Sequence, residues 1–359
     1  MRKYLIPQTG SFYKANLHSH TSCSDGRLTP QEMKEEYKKR GYSILAFSDH
    51  DYLRTHNELT DEEFLIITAY ETSIRSDDDV TPHVFRKVVD MNFYAKNPNE
   101  VMHIGFHPNS IEWWIKEGKI TKEEAKSVKY QGEYRDLHYY PANINKIIRS
   151  ANEHGYLVAI NHTNWALTNY ADYGAYEGAW AFEVYNHGCY ALAGLPDCEA
   201  AYEDILRSGK HVFAIATDDN HNTYELESYR CDSFGGFTMI KAEKLDYESI
   251  IEAMEKGNFY ASTGPEIHEL YYEDGKIHIK CSPVADIAML TMGRKGHRIA
   301  DSNGSLIECA SFDIDCEKEL YGYIRFRITD DKGRKAWTNP YYVDEIDSTV
   351  PIRRTIWDK

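Results

Sequence analysis

Seven short apolar runs recur along the first two-thirds of the chain, at residues 14–20, 42–48, 65–71, 83–93, 156–162, 180–186 and 212–217. Runs of this length, alternating with helix-prone segments, predict parallel strands in an α/β barrel or wound sheet. The helices are punctuated accordingly. Thr29-Pro30-Gln31-Glu32 offers an N-cap, a proline at the first helical position and an acid at N3. Lys38, Lys39 and Arg40 close that helix, with Gly41 as its left-handed exit. Two more helices are predicted over 143–154 and 246–256, closed by Gly155 and Gly257. The aromatic, helix-prone stretch 97–140 interrupts the alternation and reads as an insertion over one face.

After Gly264-Pro265 the pattern changes. Residues 267–281 read as a hairpin around Asp274-Gly275, and 321–329 as an amphipathic strand turned back at Asp331-Lys332-Gly333. Two domains are therefore expected, 1–264 and an all-β region over 265–359, as separate compact units joined near Gly264-Pro265.

Several classes are excluded or disfavoured. With 42% apolar and 27% charged residues the chain is expected to be globular, not disordered. A formal charge of −16 disfavours binding to polymeric nucleic acid, although a local basic pocket for a small anion is compatible with it. No run approaches membrane-spanning length, and the N-terminus MRKYLIPQTG lacks the apolar core of a signal peptide. The seven cysteines are scattered, with no C-x-x-C, which fits reduced thiols in the cytoplasm.

The chemistry lies at the ends of the runs. His18 and His20, two apart, point to one face of a strand. Ser24-Asp25-Gly26 follows in the next loop. Later runs end in Asp49-His50-Asp51, Glu71, Asn161-His162 and Asp218-Asp219-Asn220-His221, and His83 stands on a further run. Each feature alone is ordinary. Together, at the strand ends where an α/β barrel carries its active site, so many imidazoles and carboxylates require a cation to offset their charge.

The segments HSHTSCSDG, SDHD, Glu71, His83, NHTNW and DDNH resemble the polymerase and histidinol phosphatase (PHP) family of metal-dependent phosphoesterases, over roughly residues 14–264. The segments FYASTGP and AWTNP resemble its CehA/McbA-type metallohydrolase subgroup. The resemblance implies a distorted seven-stranded (β/α)7 barrel followed by a small β-sandwich domain, and two or three divalent ions (Zn, Mn or Fe). His18, His20, Glu71 and Asp219 would bind the first. Glu71 would bridge to a second held by His83 and His162, and Asp25, His50 and His221 would hold a third. Asp218 rivals Asp219, but the D-x-H spacing to His221 favours Asp219. Thr163 stands where the family usually has proline, and His103 and His107 compete with His83.

Metals so held act as Lewis acids and acidify a bound water. Asp25, His50, Asp219 and His221 are the expected catalytic set, and Asp49, Asp51, Glu183 and Asn186 are expected to orient the ligands. Arg27, Arg135 and Trp165 are candidate substrate contacts. Arg135, His138, Trp113, Trp114, Tyr139 and Tyr140 would form a lid from the insertion. The expected activity is hydrolysis of a small phosphate monoester or diester, a nucleotide or sugar phosphate. An ester or carbamate hydrolase and a non-catalytic metal- or carbohydrate-binding protein are the alternatives.

Overall fold

The computed structural model describes residues 2–76, 81–105, 107–131, 138–315 and 318–358. Arg135 lies outside these residues, and so does the side chain of His83. The seven apolar runs become β1 (Ser11–Ser19), β2 (Ile44–Phe47), β3 (Leu65–Arg75), β4 (Val88–Ala95), β5 (Tyr156–Ile160), β6 (Ala181–Asn186) and β7 (Phe213–Thr217). They lie side by side in chain order within one large sheet. The fold is mixed α/β.

Six of the seven strands run the same way. β4 does not: it is antiparallel to both β3 and β5, which corrects the all-parallel expectation. Among the described residues, the link from Arg75 to Val88 holds only the single 3-10 turn His83–Phe85. Without a crossover helix the chain returns antiparallel. His83 thus sits before β4, not on it. The end of β1 meets the segment just after β7 at an isolated bridge between Ser19 and Asn220. There Asp219 N–H donates to His18 O at 2.8 Å and His20 N–H to Asn220 O at 3.1 Å.

Local signals account for the helices. α1 (Pro30–Lys39) has the Thr29–Glu32 capping box and buries Met33 and Tyr37. The insertion contributes α2 (Pro108–Lys116), which buries Trp114 against Tyr52 while Trp113 stays exposed. α3 (Pro141–Glu153) packs Ile144, Ile147 and Ile148 into the main core. α4 (His187–Ala193) starts directly where β6 ends, and α5 (Glu199–Arg207) buries Tyr202, Ile205 and Leu206. α6 (Tyr247–Glu255) is N-capped by Asp246.

The sheet continues from β1 through β8 (Phe237–Ala242) and β9 (Phe259–Ser262). Beyond these lie β10 (Ile267–Glu273) and β11 (Lys276–Val284), joined through Asp274 and Gly275, both at positive φ as the Asp-Gly turn requires. β12 (Asp286–Thr291), β13 (His297–Ile299), β14 (Ile307–Asp313), β15 (Tyr323–Thr329) and β16 (Lys335–Thr338) complete the chain's longer strands.

The region after Gly264-Pro265 was expected to be a separate unit with its own sheet. Instead β9 pairs with β16, so one hydrogen-bonded ladder crosses that point. The N-terminal pair Lys3–Tyr4 in turn joins β10 in the second sheet with β11 and β14. Apolar side chains of both sheets, among them Leu270, Ile279, Ile287, Phe326 and Ile328, share one core. The two portions are also tied by charge. Buried Arg325 of β15 bonds Glu199 at 2.8 Å and Glu203, both on α5. No described helix is long and apolar enough to cross a membrane.

Candidate metal centre

The common direction of β1–β3 and β5–β7 puts their C-terminal ends at one edge, and the reversal of β4 puts its N-terminal end there too. Histidines and carboxylates from all these elements converge. His18 and His20 lie at the end of β1, both fully buried. Their Nε2 atoms face each other at 3.2 Å, and each is 3.1 Å from Asp219 Oδ1. Glu71 is inserted between them, with Oε1 3.4 Å from His18 Nε2 and Oε2 3.4 Å from His20 Nε2. His162 Nε2 lies 3.6 Å from both Glu71 Oε1 and Asp219 Oδ2. On the more open side, Asp25 stands 3.5 Å from His50 Nε2 and 3.4 Å from His221 Nε2, while His50 Nδ1 is 3.1 Å from Glu71 Oε2.

Ligand atoms thus group within 4.8 Å of one another as His20, Asp25, His50 and His221; as His18, Glu71 and His162; and as His18, His20 and Asp219. The donor set suits divalent cations. Imidazole nitrogens and carboxylate oxygens point at common centres. Nδ1 of His20 and Nδ1 of His162 are buried with no hydrogen-bond partner among the described residues. Groups so desolvated require partners.

The electrostatics agree with this. Burial opposes charge on His18, but Asp219, Glu71 and Glu183 outweigh it and raise its pKa well above normal. His50 is raised by Asp25 and Glu71 against the same burial, and His162 and His221 are raised to about 9. His20 is lowered, by burial and by the neighbouring His221 and His50. Burial works against charge on Glu71 and Asp219, yet the surrounding imidazoles hold both well below the usual carboxylate range. Asp25 is held below its ordinary value by His221 and His50 in the same way.

The expected supporting residues divide. Glu183 is fully buried; Oε1 lies 3.0 Å from His18 Nδ1 and Oε2 accepts from the His162 backbone N–H at 2.8 Å. Asn186 donates from Nδ2 to Glu183 at 2.9 Å and to Asp219 at 3.1 Å, while its Oδ1 caps α4 through Cys189 N–H. Asp49 instead ties the loop after β1, accepting from Thr21 N–H and from the Thr21 and Ser24 hydroxyls. Asp51, at φ 55°, accepts from Thr72 Oγ1. The rivalry between the paired aspartates resolves geometrically. Asp219 faces the cluster, whereas Asp218 accepts from the N–H groups of Phe234, Gly235 and Gly236 and from the Tyr37 hydroxyl.

A cavity of about 340 Å³ opens over the cluster. Trp165 lines it, with its ring 5.1 Å from that of His162. Arg27 does not: it is exposed, and its backbone N–H donates to His221 O. No described residue of the insertion lines the cavity. Trp114 is core, and Tyr139 bonds Tyr176 through their hydroxyls at 2.6 Å. His103 is likewise structural, accepting from Leu53 N–H at 2.8 Å and contacting Lys129 O.

Two charged cavity residues were missed. Arg75 follows Glu71 and Ser73 at alternate positions of β3, so all three share a face, a period-2 signal already present in the sequence. Asp90 sits opposite Ser73 on β4, accepts from its hydroxyl, and lies 3.9 Å from His162 Nε2. Burial and the nearby Glu71 push it up to about 6. Cys189 and Leu192 of α4 complete the wall opposite.

The model of the PHP domain family matches residues 16–306. The chain belongs to the PHP family. Among its relatives, the DNA polymerase/3'-5' exonuclease PolX of Bacillus subtilis is 44% identical over 50 residues, 14% of this chain and 9% of that protein. The DNA polymerase III subunit alpha of Campylobacter jejuni is 23% identical over 288 residues, 72% of this chain and 22% of that protein. The chain thus spans under a quarter of the length of either. Similar solved structures include a two-domain protein from Bacteroides vulgatus containing a predicted PHP-like metal-dependent phosphoesterase, with TM-score 0.43 and 14% identity over 94% of this chain and 98% of that one. An amidohydrolase from Chromobacterium violaceum has TM-score 0.33 and 16% identity over 58% and 87%.

Proposed function

We propose that this PHP-family protein is a metal-dependent phosphoesterase acting on a small phosphate monoester or diester, such as a nucleotide or sugar phosphate. The observation that carries this reading is the convergence of His18, His20, Glu71, His162 and Asp219, with Asp25, His50 and His221 beside them, beneath a cavity open to a small ligand. These side chains, with His83, would hold two or three ions of Zn, Mn or Fe. Bound there, such ions supply Lewis-acid charge to phosphate oxygens and acidify water.

The rest is done by the chain itself. Glu183 accepts from His18 and fixes which nitrogen faces the cluster. Asn186 holds Asp219 in position. Arg75 offers a forked donor to a phosphate, and Trp165 a flat face to the group it carries. In this reading the barrel of the family is the catalytic unit, a C-terminal β-sandwich is appended to it, and the protein works in the cytoplasm on a small molecule, without membrane or polymeric nucleic acid.

A second reading, hydrolysis of a carboxyl or carbamate ester, follows from the CehA/McbA-like segments. Those segments form the neighbouring strands β9 and β16, with Ala261 opposite Trp337. The test is turnover of a phosphomonoester panel against aryl esters and carbamates by metal-loaded protein. Phosphomonoester turnover abolished by a chelator supports the proposal. Turnover of aryl esters or carbamates alone overturns it in favour of the second reading, and no turnover favours a binding role.

A further inference from the structure

A second, larger cleft of about 540 Å³ lies on the opposite side of α4 from the metal centre. Gly188, Cys189 and Leu192 face the metal-centre cavity, while His187 and Tyr190 face this cleft. Its far wall is the turn between β15 and β16.

The chemistry of the cleft is distinct. One side is aromatic: the rings of Tyr185 and Trp337 stack with centroids 6.3 Å apart, and Tyr190 lies 6.1 Å from Tyr185. The other side is cationic. Lys332, Arg334 and Lys335 line it, on a chain whose formal charge is −16, and Asp197 is the one acid among its described lining residues. Asp197 is engaged by Lys335 Nζ at 2.6 Å. Arg334 gives Nε to Asp330 at 2.7 Å, and its two Nη atoms make no hydrogen bond among the described residues.

The turn is also fixed in place. Asp330 Oδ1 accepts from the backbone N–H groups of Lys332 and Arg334. Two glycines leave room for the arrangement. A Cβ on Gly264 would come within 2.6 Å of the Arg334 guanidinium, and one on Gly235 within 2.1 Å of the His187 ring.

We propose that this cleft is a second ligand site, separate from the metal centre, for a small organic anion whose phosphate or carboxylate is carried on a flat ring. The guanidinium fork and Lys332 would take the anion, and Tyr185 and Tyr190, backed by the buried Trp337, would take the ring. The cleft volume falls in the range of small-molecule sites.

The test is calorimetric titration of the metal-loaded protein with phenylphosphonate, which joins a flat ring to a dianion and has no ester to hydrolyse. Inorganic phosphate and benzyl alcohol are titrated as the separate halves. The expected result is a binding event that survives in Asp219→Asn and weakens at least tenfold in Lys332→Gln/Arg334→Gln, with each half binding at least tenfold more weakly at this site. Gly264→Ala, which displaces the guanidinium without removing charge, is expected to weaken it too. Loss of the event in Asp219→Asn, or an affinity unchanged in Lys332→Gln/Arg334→Gln, would overturn the proposal.

Discussion

Nδ1 of His18 lies 3.0 Å from Oε1 of Glu183, on a carboxylate with no solvent exposure. A carboxylate only accepts, so Nδ1 carries a proton and Nε2 is the nitrogen turned toward Asp219 and Glu71. Glu183→Gln keeps the shape and removes the charge. It is expected to lower metal affinity about 10–100-fold, read by competition with a chromophoric chelator. An affinity equal to wild type would show that Glu183 is structural only.

Asp218 and Asp219 are adjacent and do opposite work. In Asp218→Asn the amide NH2 would face the N–H groups of Phe234, Gly235 and Gly236 or the Tyr37 hydroxyl. The expected cost is about 1–3 kcal/mol of stability, with metal retained. Asp219→Asn is expected to lose metal and more than about 100-fold in rate, or about 2.7 kcal/mol, while the metal-free protein melts close to metal-free wild type. Paired melting curves and metal analyses check both; a reversed pattern contradicts the assignment.

The ion cluster joining α5 to β15 gives stability an acid dependence. Burial raises Glu199, but Arg325 and Arg327 outweigh it and hold its pKa below the ordinary value of 4.5. A depressed folded-state pKa gives stability that is present above the unfolded value and lost as pH falls through the folded one. The melting temperature of wild type is therefore expected to exceed that of Glu199→Gln at neutral pH, with the gap narrowing below about pH 4.5. A gap constant down to pH 3 would contradict this.

Removing metal is expected to lower the melting temperature by several degrees. A ligand that binds only the native state at 100 times its Kd adds about 2.7 kcal/mol. Scanning calorimetry with and without EDTA measures this, and coincident transitions would contradict it.

Much of the site was legible because its residues end apolar runs, and strand ends gather at one edge once the strands run in parallel. Asp90 was not legible for the same reason. It sits near the start of β4, and only the reversal of that strand brings it to the cluster. That reversal depends on a connection without a crossover helix, which apolar periodicity does not report. The capping box at Thr29 and the Asp274-Gly275 hairpin were readable because their signals are local. The continuity of the sheet through β9 and β16 was not, since Tyr260 and Thr338 pair across a long separation in sequence. Arg27 is near Asp25 in sequence, but the fold turns it outward while Arg75 faces the cavity.

The most direct measurement is anomalous diffraction from crystals grown with Mn, Fe or Zn, collected on both sides of each absorption edge. Peaks are expected within about 2.0–2.3 Å of ligand atoms of His18, His20, Glu71, His162 and Asp219, lost or displaced in Asp219→Asn. A well-ordered cluster with no anomalous peak in metal-supplemented crystals would contradict this expectation.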